Sequence, residues 1–120
     1  MANPNIVNVS QIYGKTTVSS SVTTTAQGVV TNSAGSNQIF KVNSLVVSNK
    51  DAANTVFTTV TFFRSSTDFN LAYRINIPSG SSLVVISKDS SIYLEEGDGI
   101  RIFAGQAAAL DYVCSYEIIS

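Results

Sequence analysis

The chain has 120 residues, seven Lys and Arg, eight Asp and Glu, and a formal net charge of −1 at pH 7. This length fits one domain, and the basic residues are scattered singly, which argues against binding to a phosphate backbone. Histidine is absent, so the commonest general base and a frequent metal ligand are both missing. We therefore expect no enzyme activity, no cofactor, no small-molecule substrate and no nucleic-acid partner.

Only 12% of the residues are charged, about half the usual share. Ser, Thr and Asn replace them, and these residues suit strands, turns and surfaces that another protein covers. No segment approaches the ~20 apolar residues of a membrane span, and the N-terminus lacks the features of a signal peptide. We expect no membrane partner, and synthesis in a cytosol.

The N-terminal segment, residues 1–14, is predicted to be either an extended arm or the first strand of the sheet. It opens with a Pro-Asn turn signal and ends at Gly14. As an arm it would add to a neighbouring subunit through its apolar residues. The candidate contact residues are Ile6, Val7 and Val9. Residues 15–120 are predicted to form the folded domain.

The following segment is rich in Thr and Val, which favour the pleated conformation. We predict strands near residues 17–25 and 27–31 and a turn at 32–37. In the strand over 39–48 the apolar residues change from even positions, Phe40 and Val42, to odd positions, Leu45 and Val47. This change predicts a bulge near Asn43 and Ser44.

A strand over residues 56–63 carries aromatic side chains on both of its faces. Phe57 and Phe63 lie on one face, and Val60 and Phe62 lie on the other. Such a strand is either covered on both sides or uses its outer face as an interface. Packing of one Phe beneath a loop and contact of Phe57 and Phe63 with another subunit are equally weighted interpretations.

After a strand over 71–77, the segment Ser81–Phe103 predicts three short strands. Leu83–Ile86 is apolar at every position, so we expect cover on both faces. Ile92–Leu94 and Ile100–Phe103 alternate in polarity, and Tyr93 and Phe103 are the outward aromatic candidates.

The acidic turn between those strands has the sequence Glu-Glu-Gly-Asp-Gly. Its carboxylates, on Glu95, Glu96 and Asp98, could supply oxygen ligands to Ca²⁺. The preferred interpretation is a solvated turn between strands, whose glycines adopt positive φ. No metal site is assigned.

The last strand, over 110–119, places alternate apolar residues on one face, and residues 105–109 before it form a loop or one helical turn. Cys114 lies in this strand and is expected to be a buried core residue. Eight to nine strands without helical periodicity predict an all-β fold, a single-domain antiparallel β-sandwich of jelly-roll type.

Four segments together resemble small virion structural proteins of tailed phages that infect cyanobacteria. They are the opening M-A-N-P-N-I-V-N-V-S-Q-I-Y-G-K-T, then F-K-V-N-S-L-V-V-S-N, I-Y-L-E-E-G-D-G-I-R and the end C-S-Y-E-I-I-S. The resemblance implies a non-enzymatic particle component. Small sandwich proteins of phages often decorate or cement the capsid, commonly as trimers.

These inferences lead to a capsid decoration or cement protein that binds the major capsid protein as a homotrimer on the virion surface. A tail, neck or fibre component is the nearest alternative. A carbohydrate-binding attachment module is the alternative from another class, and it would need a cluster of exposed aromatic residues with acidic or amide partners.

Overall fold

The computed structural model describes residues 10–120, in which nine strands and one short 3₁₀ helix form a two-layer sandwich. The 3₁₀ helix spans Lys88–Ser90. The strands are β1 (Ile12–Ser19), β2 (Gln27–Thr31), β3 (Ile39–Asn49), β4 (Val56–Arg64), β5 (Thr67–Ile77), β6 (Ser82–Ile86), β7 (Ile92–Leu94), β8 (Gly99–Ala104) and β9 (Leu110–Ile119).

The strands form two antiparallel sheets. Sheet A has the order β1-β9-β3-β6, with β7 also paired to β3, and sheet B has the order β2-β8-β4-β5. Because β6 and β7 pair with successive parts of β3, together they fill one position, and each sheet has four positions. This alternation of the chain between two four-stranded sheets is a jelly roll. The prediction of an all-β sandwich is confirmed.

The first described strand crosses the predicted boundary at Gly14. It spans Ile12–Ser19 and pairs with β9 without a register shift, so Ile12–Gly14 belong to sheet A. The predicted strand over 17–25 is wrong because residues 20–26 form a loop, which buried Val22 anchors in the core. Ile6, Val7 and Val9 lie outside the described residues.

The predicted bulge in β3 is confirmed. The pairing with β9 shifts between Val42 and Ser44. This shift brings Val42 and Leu45 onto the same inner face, where both are fully buried. Successive side chains of a strand point to opposite faces, so two residues three positions apart share a face only if the strand contains one extra, bulged residue between them.

The core lies between the sheets and is built from alternate residues of both. Its side chains pack as one cluster that includes Phe40 and Tyr116, whose rings stack with centroids 5.5 Å apart. The largest fully buried apolar members are Leu45, Ile77, Ile86, Leu94, Ile100, Ile102 and Leu110.

The expectation that Leu83–Ile86 is covered on both faces is wrong. β6 lies at an edge of sheet A, and its pairing with β3 shifts between Ile86 and Val84, so these two residues point to opposite sides of the sheet. Ile86 points into the core and is buried, whereas Val84 points outward and is 58% exposed. The outer face of sheet A therefore carries apolar residues that the described chain leaves uncovered.

A buried asparagine fastens the loops at each end of the sandwich. Asn32 is fully buried at one end, and Asn49 is 2% exposed at the other. Asn49 donates from Nδ2 to the carbonyl oxygens of Asn54 and Ile77, each at 2.8 Å, and accepts from the Asp51 N–H. Buried amides with several partners fix loop geometry because breaking one bond leaves an unsatisfied polar group.

Candidate functional site

Two of the three carboxylates of the acidic turn are buried and bonded to their own chain, so the interpretation as a solvated turn is wrong. Glu96 is only 5% exposed, and its two carboxylate oxygens accept the N–H groups of Gly35 and Asn37, each at 3.0 Å. Gly97 has a φ of 89°, the left-handed conformation that glycine adopts most easily. The Glu96 side chain thus joins this turn to the β2–β3 turn.

Asp98 is also internal, at 2% exposure. Its carboxylate accepts from the Arg64 Nε at 2.8 Å and from the backbone N–H of Glu95 at 2.9 Å. Arg64 also donates to Glu95 at 2.9 Å. The hydrogen bonds to Asp98, first among several causes, raise the pKa of the Arg64 guanidinium above its ordinary value.

A guanidinium therefore occupies the position that a cation would take beside the acidic turn. Within residues 10–120, no group of three or more His, Cys, Asp and Glu side chains is placed to hold a metal ion. The same three carboxylates that suggested Ca²⁺ ligands act here as acceptors for Arg64 and for backbone N–H groups. The arrangement fastens three turns at one end of the sandwich.

The predicted aromatic residues of β4 lie on the outer face of sheet B. Phe57 and Phe63 are six residues apart on one strand, about 20 Å along it. Phe103 of β8 pairs directly with Thr59, between them. The structure therefore brings Phe57, Phe63 and Phe103 onto one surface, which we call the Phe face.

Two arginines cover the rings of the Phe face. The Arg74 guanidinium lies 4.2 Å from the centroid of the Phe57 ring, and that of Arg101 lies 4.5 Å from the centroid of Phe63. Both distances are within the range of cation–π attraction. Arg101 also lies 3.5 Å from a carboxylate oxygen of Asp68. Each of these two rings is therefore contacted by a guanidinium.

The threonines between these rings are buried although they point outward. Thr59 is 2% exposed and its hydroxyl accepts the Arg74 N–H, and Thr61 is 6% exposed and donates to Asp68 at 2.8 Å. Arg74 has a φ of 49° at a register shift in β5. This bulge places the Arg74 backbone above Thr59.

Sequence reasoning did not identify these arginines. Arg74 lies in none of the segments that carry the resemblance, and Arg101 is only the last residue of I-Y-L-E-E-G-D-G-I-R. The positions of both depend on how β5 and β8 pair with β4. The only signal was the strand β4 itself, whose aromatics on both faces indicated cover on the outer side.

Tyr93 lies on the other side of the molecule. It is 42% exposed on β7 and pairs with Lys41 on the outer face of sheet A. Phe103 belongs to the outer face of sheet B. The two outward aromatic candidates are therefore not parts of one site.

The single cysteine is buried in the core, as expected from the sequence. Burial raises the pKa of the Cys114 thiol to about 11. Burial also raises the pKa of the Tyr112 hydroxyl, which lies on the same inner face of β9. A thiol that is kept protonated is a poor nucleophile, so Cys114 acts as a small core residue.

No protein-family model matches the chain, and no curated protein matches it significantly. A solved structure from the work "Bacillus endospore appendages form a novel family of disulfide-linked pili" is similar, with a TM-score of 0.47 and 17% sequence identity. The alignment covers 100% of this chain and 94% of that one. None of the helices among the described residues is long and apolar enough to span a membrane.

Proposed function

We propose that the chain is a non-enzymatic structural protein of a phage particle that binds the outer capsid surface as a homo-oligomer and stabilises the shell. The observation that carries this proposal is the surface of the described strands. Large apolar side chains are exposed on β1, β5, β6, β7 and β9, from 38% for Leu71 to 66% for Val18. Exposed apolar surface on flat sheets favours contact with other proteins.

The polar groups of the described chain support the same proposal. The carboxylates of the acidic turn bond to internal donors, and the buried amides of Asn32 and Asn49 bond to loop carbonyls. These groups stabilise a rigid scaffold. A rigid domain that makes modest contacts can bind strongly to a symmetric lattice, because many copies bind side by side.

The Phe face is the surface that we assign to the major capsid protein. Aromatic rings and arginine are the side chains enriched in the centres of protein interfaces, and Phe57, Phe63, Arg74 and Arg101 supply both. The guanidiniums lie over the rings, and each covers one side on which a sugar could stack. This arrangement favours a protein partner over a carbohydrate.

The test is co-sedimentation of the purified protein with empty capsids of a tailed cyanobacterial phage. We expect saturable binding and a higher temperature of capsid disruption. The double variant Phe57→Ser, Phe63→Ser should bind capsids at least ten-fold more weakly, whereas Asp89→Ser, in the exposed 3₁₀ helix, should bind like the wild type. Circular dichroism establishes that each variant is folded.

Unchanged capsid binding by the folded double variant would refute the assignment of the Phe face. Absence of capsid binding by the wild type, together with binding to isolated tails, would support the tail or fibre alternative instead. Binding on a glycan array would support the attachment alternative. The homotrimer implied by the resemblance is a separate proposal, which the molar mass in solution tests.

A further inference from the structure

A row of four valines crosses the outer face of sheet A. Val18 of β1 pairs directly with Val113 of β9, Val113 pairs with Val46 of β3, and Val46 pairs with Val84 of β6. Directly paired residues of antiparallel strands point to the same side of a sheet. We call these four residues the valine row.

The valine row points away from the core and is open to solvent. Val18, Val84 and Val113 are 66%, 58% and 46% exposed, and Val46 is half-buried between its neighbours. The residues that flank Val46 and Val113 along their own strands, Leu45 and Cys114 among them, point inward and are fully buried. The row is therefore an apolar stripe that spans the whole width of sheet A, about 14 Å between its outer strands.

The rows on both sides of the valine row carry short polar side chains. On one side Thr16, Ser115 and Ser44 are paired across the strands, and on the other side Ser48 pairs with Ser82 and with Asp111. The hydroxyls of Thr16 and Ser115 lie 3.3 Å apart, and those of Ser48 and Ser82 lie 2.9 Å apart. Groups that already bond to each other can be covered without leaving polar atoms unsatisfied.

Charged residues on this face come in pairs of opposite sign at its two ends. The Lys50 Nζ lies 2.9 Å from a carboxylate oxygen of Asp111 at one end. Lys41 and Glu117 are directly paired at the other end. Each end therefore has no net charge. Each presents one cation and one anion, which the charged pair at an end of a second copy can match.

We propose that the outer face of sheet A pairs with the same face of a second copy of this chain across a twofold axis. In such a pair the valine rows lie against each other and the flanking polar rows face each other, with the Asp111 carboxylate held by its ion pair with Lys50. The charged pairs at opposite ends come together with both signs present. An isologous contact requires a self-complementary surface, and a row of identical uncharged residues between two polar rows meets that requirement.

The outer face of sheet A is small for a protein interface. Four strands about 4.8 Å apart and a strand length of about 20 to 25 Å give ~400 to 500 Å² on each copy. Two copies then bury about 1,000 Å² in total, near the lower limit for a specific interface. We therefore expect dissociation on the order of micromolar concentrations, and stronger association where many copies bind to one surface.

The experiment is the molar mass of the full chain by sedimentation equilibrium over concentrations from ~1 to ~500 μM, around the expected dissociation range. The wild type should reach an even number of chains, a dimer or, if a threefold contact also forms, a hexamer. Val113→Lys places a charge at the centre of the row and should halve that mass. Val84→Lys, on the edge strand, is the second variant, in case the first does not fold.

Tyr73→Lys is the matched control, because Tyr73 is 61% exposed on the edge strand of sheet B and its substitution should leave the mass unchanged. A wild type that is monomeric or trimeric at every concentration would overturn the inference, as would a mass that neither folded valine variant alters.

The inference rests on the proposed function, which includes self-association. Capsid binding, measured separately from the molar mass, distinguishes failure of the inference from failure of the proposed function. A chain that pairs as expected but does not bind capsids would defeat the capsid assignment alone. A chain that binds capsids while its mass is unaffected by either valine substitution would defeat the inference alone.

Discussion

Replacement of Asn32 by alanine should destabilise the sandwich more than most single substitutions. Asn32 is fully buried, and its Nδ2 donates to the carbonyl oxygens of Gln38 at 2.9 Å and Leu94 at 3.0 Å. Its Oδ1 accepts the Ser36 hydroxyl at 2.6 Å. Alanine would leave these partners unpaired at the end of the sandwich where β2, β3 and β7 meet their turns.

The expected magnitude follows from the burial of the partners. A buried acceptor left without a donor costs about 1 to 3 kcal/mol. The Leu94 carbonyl is buried, whereas the bond to Gln38 is only partly buried, so water can replace the second bond. We expect a total loss of about 3 kcal/mol in the free energy of unfolding and a decrease of about 10 °C in the melting temperature for a chain of this length.

The assay is urea unfolding followed by circular dichroism, with scanning calorimetry for the melting temperature. Asn76→Ala, an exposed position of β5, is the matched control and should stay within about 0.5 kcal/mol of the wild type. Asn32→Asp should be at least as destabilising as Asn32→Ala, because a carboxylate has no N–H to donate to the two carbonyls. A loss for Asn32→Ala no larger than that of the control would refute the reasoning.

Three further predictions follow from single contacts. Gly105→Ala would place a Cβ atom 2.4 Å from the nearest carbon of the Phe57 ring, so it should cost about 1 to 3 kcal/mol of stability. Gly14→Ala, which meets open space, should cost little. The Gly105→Ala penalty should shrink in a Phe57→Ala background. Burial raises the pKa of the Cys114 thiol to about 11, above the pKa near 9 of the unfolded chain, so its contribution to stability is complete below pH 9. The free energy of unfolding should fall by about 2 to 3 kcal/mol as the pH rises to 11, because the unfolded chain releases the thiol proton first. Urea unfolding of Cys114→Ala, measured below pH 9 and at pH 11, should lack that part of the decrease. Millimolar Ca²⁺ should leave the melting temperature unchanged because Glu96 accepts backbone N–H groups, and an increase in that temperature would instead support the ion site.

The inner faces of the sandwich were predictable because each strand carries its own pattern. The alternation in β4 and β9 placed Val60 and Cys114 in the core, and the switch of phase in β3 revealed the bulge at Asn43. Two short-range signals are sufficient to predict which side chains are buried: the alternation of apolar and polar residues along a strand, and the residue types of the turns. They identify which side of a strand is buried, and the number of strands then indicates the architecture.

The outer surfaces were not predictable because they depend on which strands become neighbours. The valine row joins residues from four strands that are far apart in the sequence, and none of them is distinctive alone. In β6 the continuous apolar run suggested a strand covered on both faces, but its position at the sheet edge leaves Val84 exposed. An edge position is a property of the sheet order, which local patterns do not contain.

The buried acidic turn was missed for a related reason. Glu-Glu-Gly-Asp-Gly has the composition of a solvated turn, and burial of two of its carboxylates requires Arg64 and the Gly35–Asn37 turn to lie beside it. Those partners come from other loops at the same end of the jelly roll. Only the fold brings them together.

The measurement that tests the proposed function most directly is a cryo-electron microscopy difference map between phage capsids with and without the bound protein. We expect density the size of one sandwich domain at symmetry-related positions on the outer capsid surface, with the Phe face toward the major capsid protein. Added density on the tail or neck with a bare capsid surface would contradict the capsid assignment. No added density anywhere on the particle would contradict the structural role as a whole.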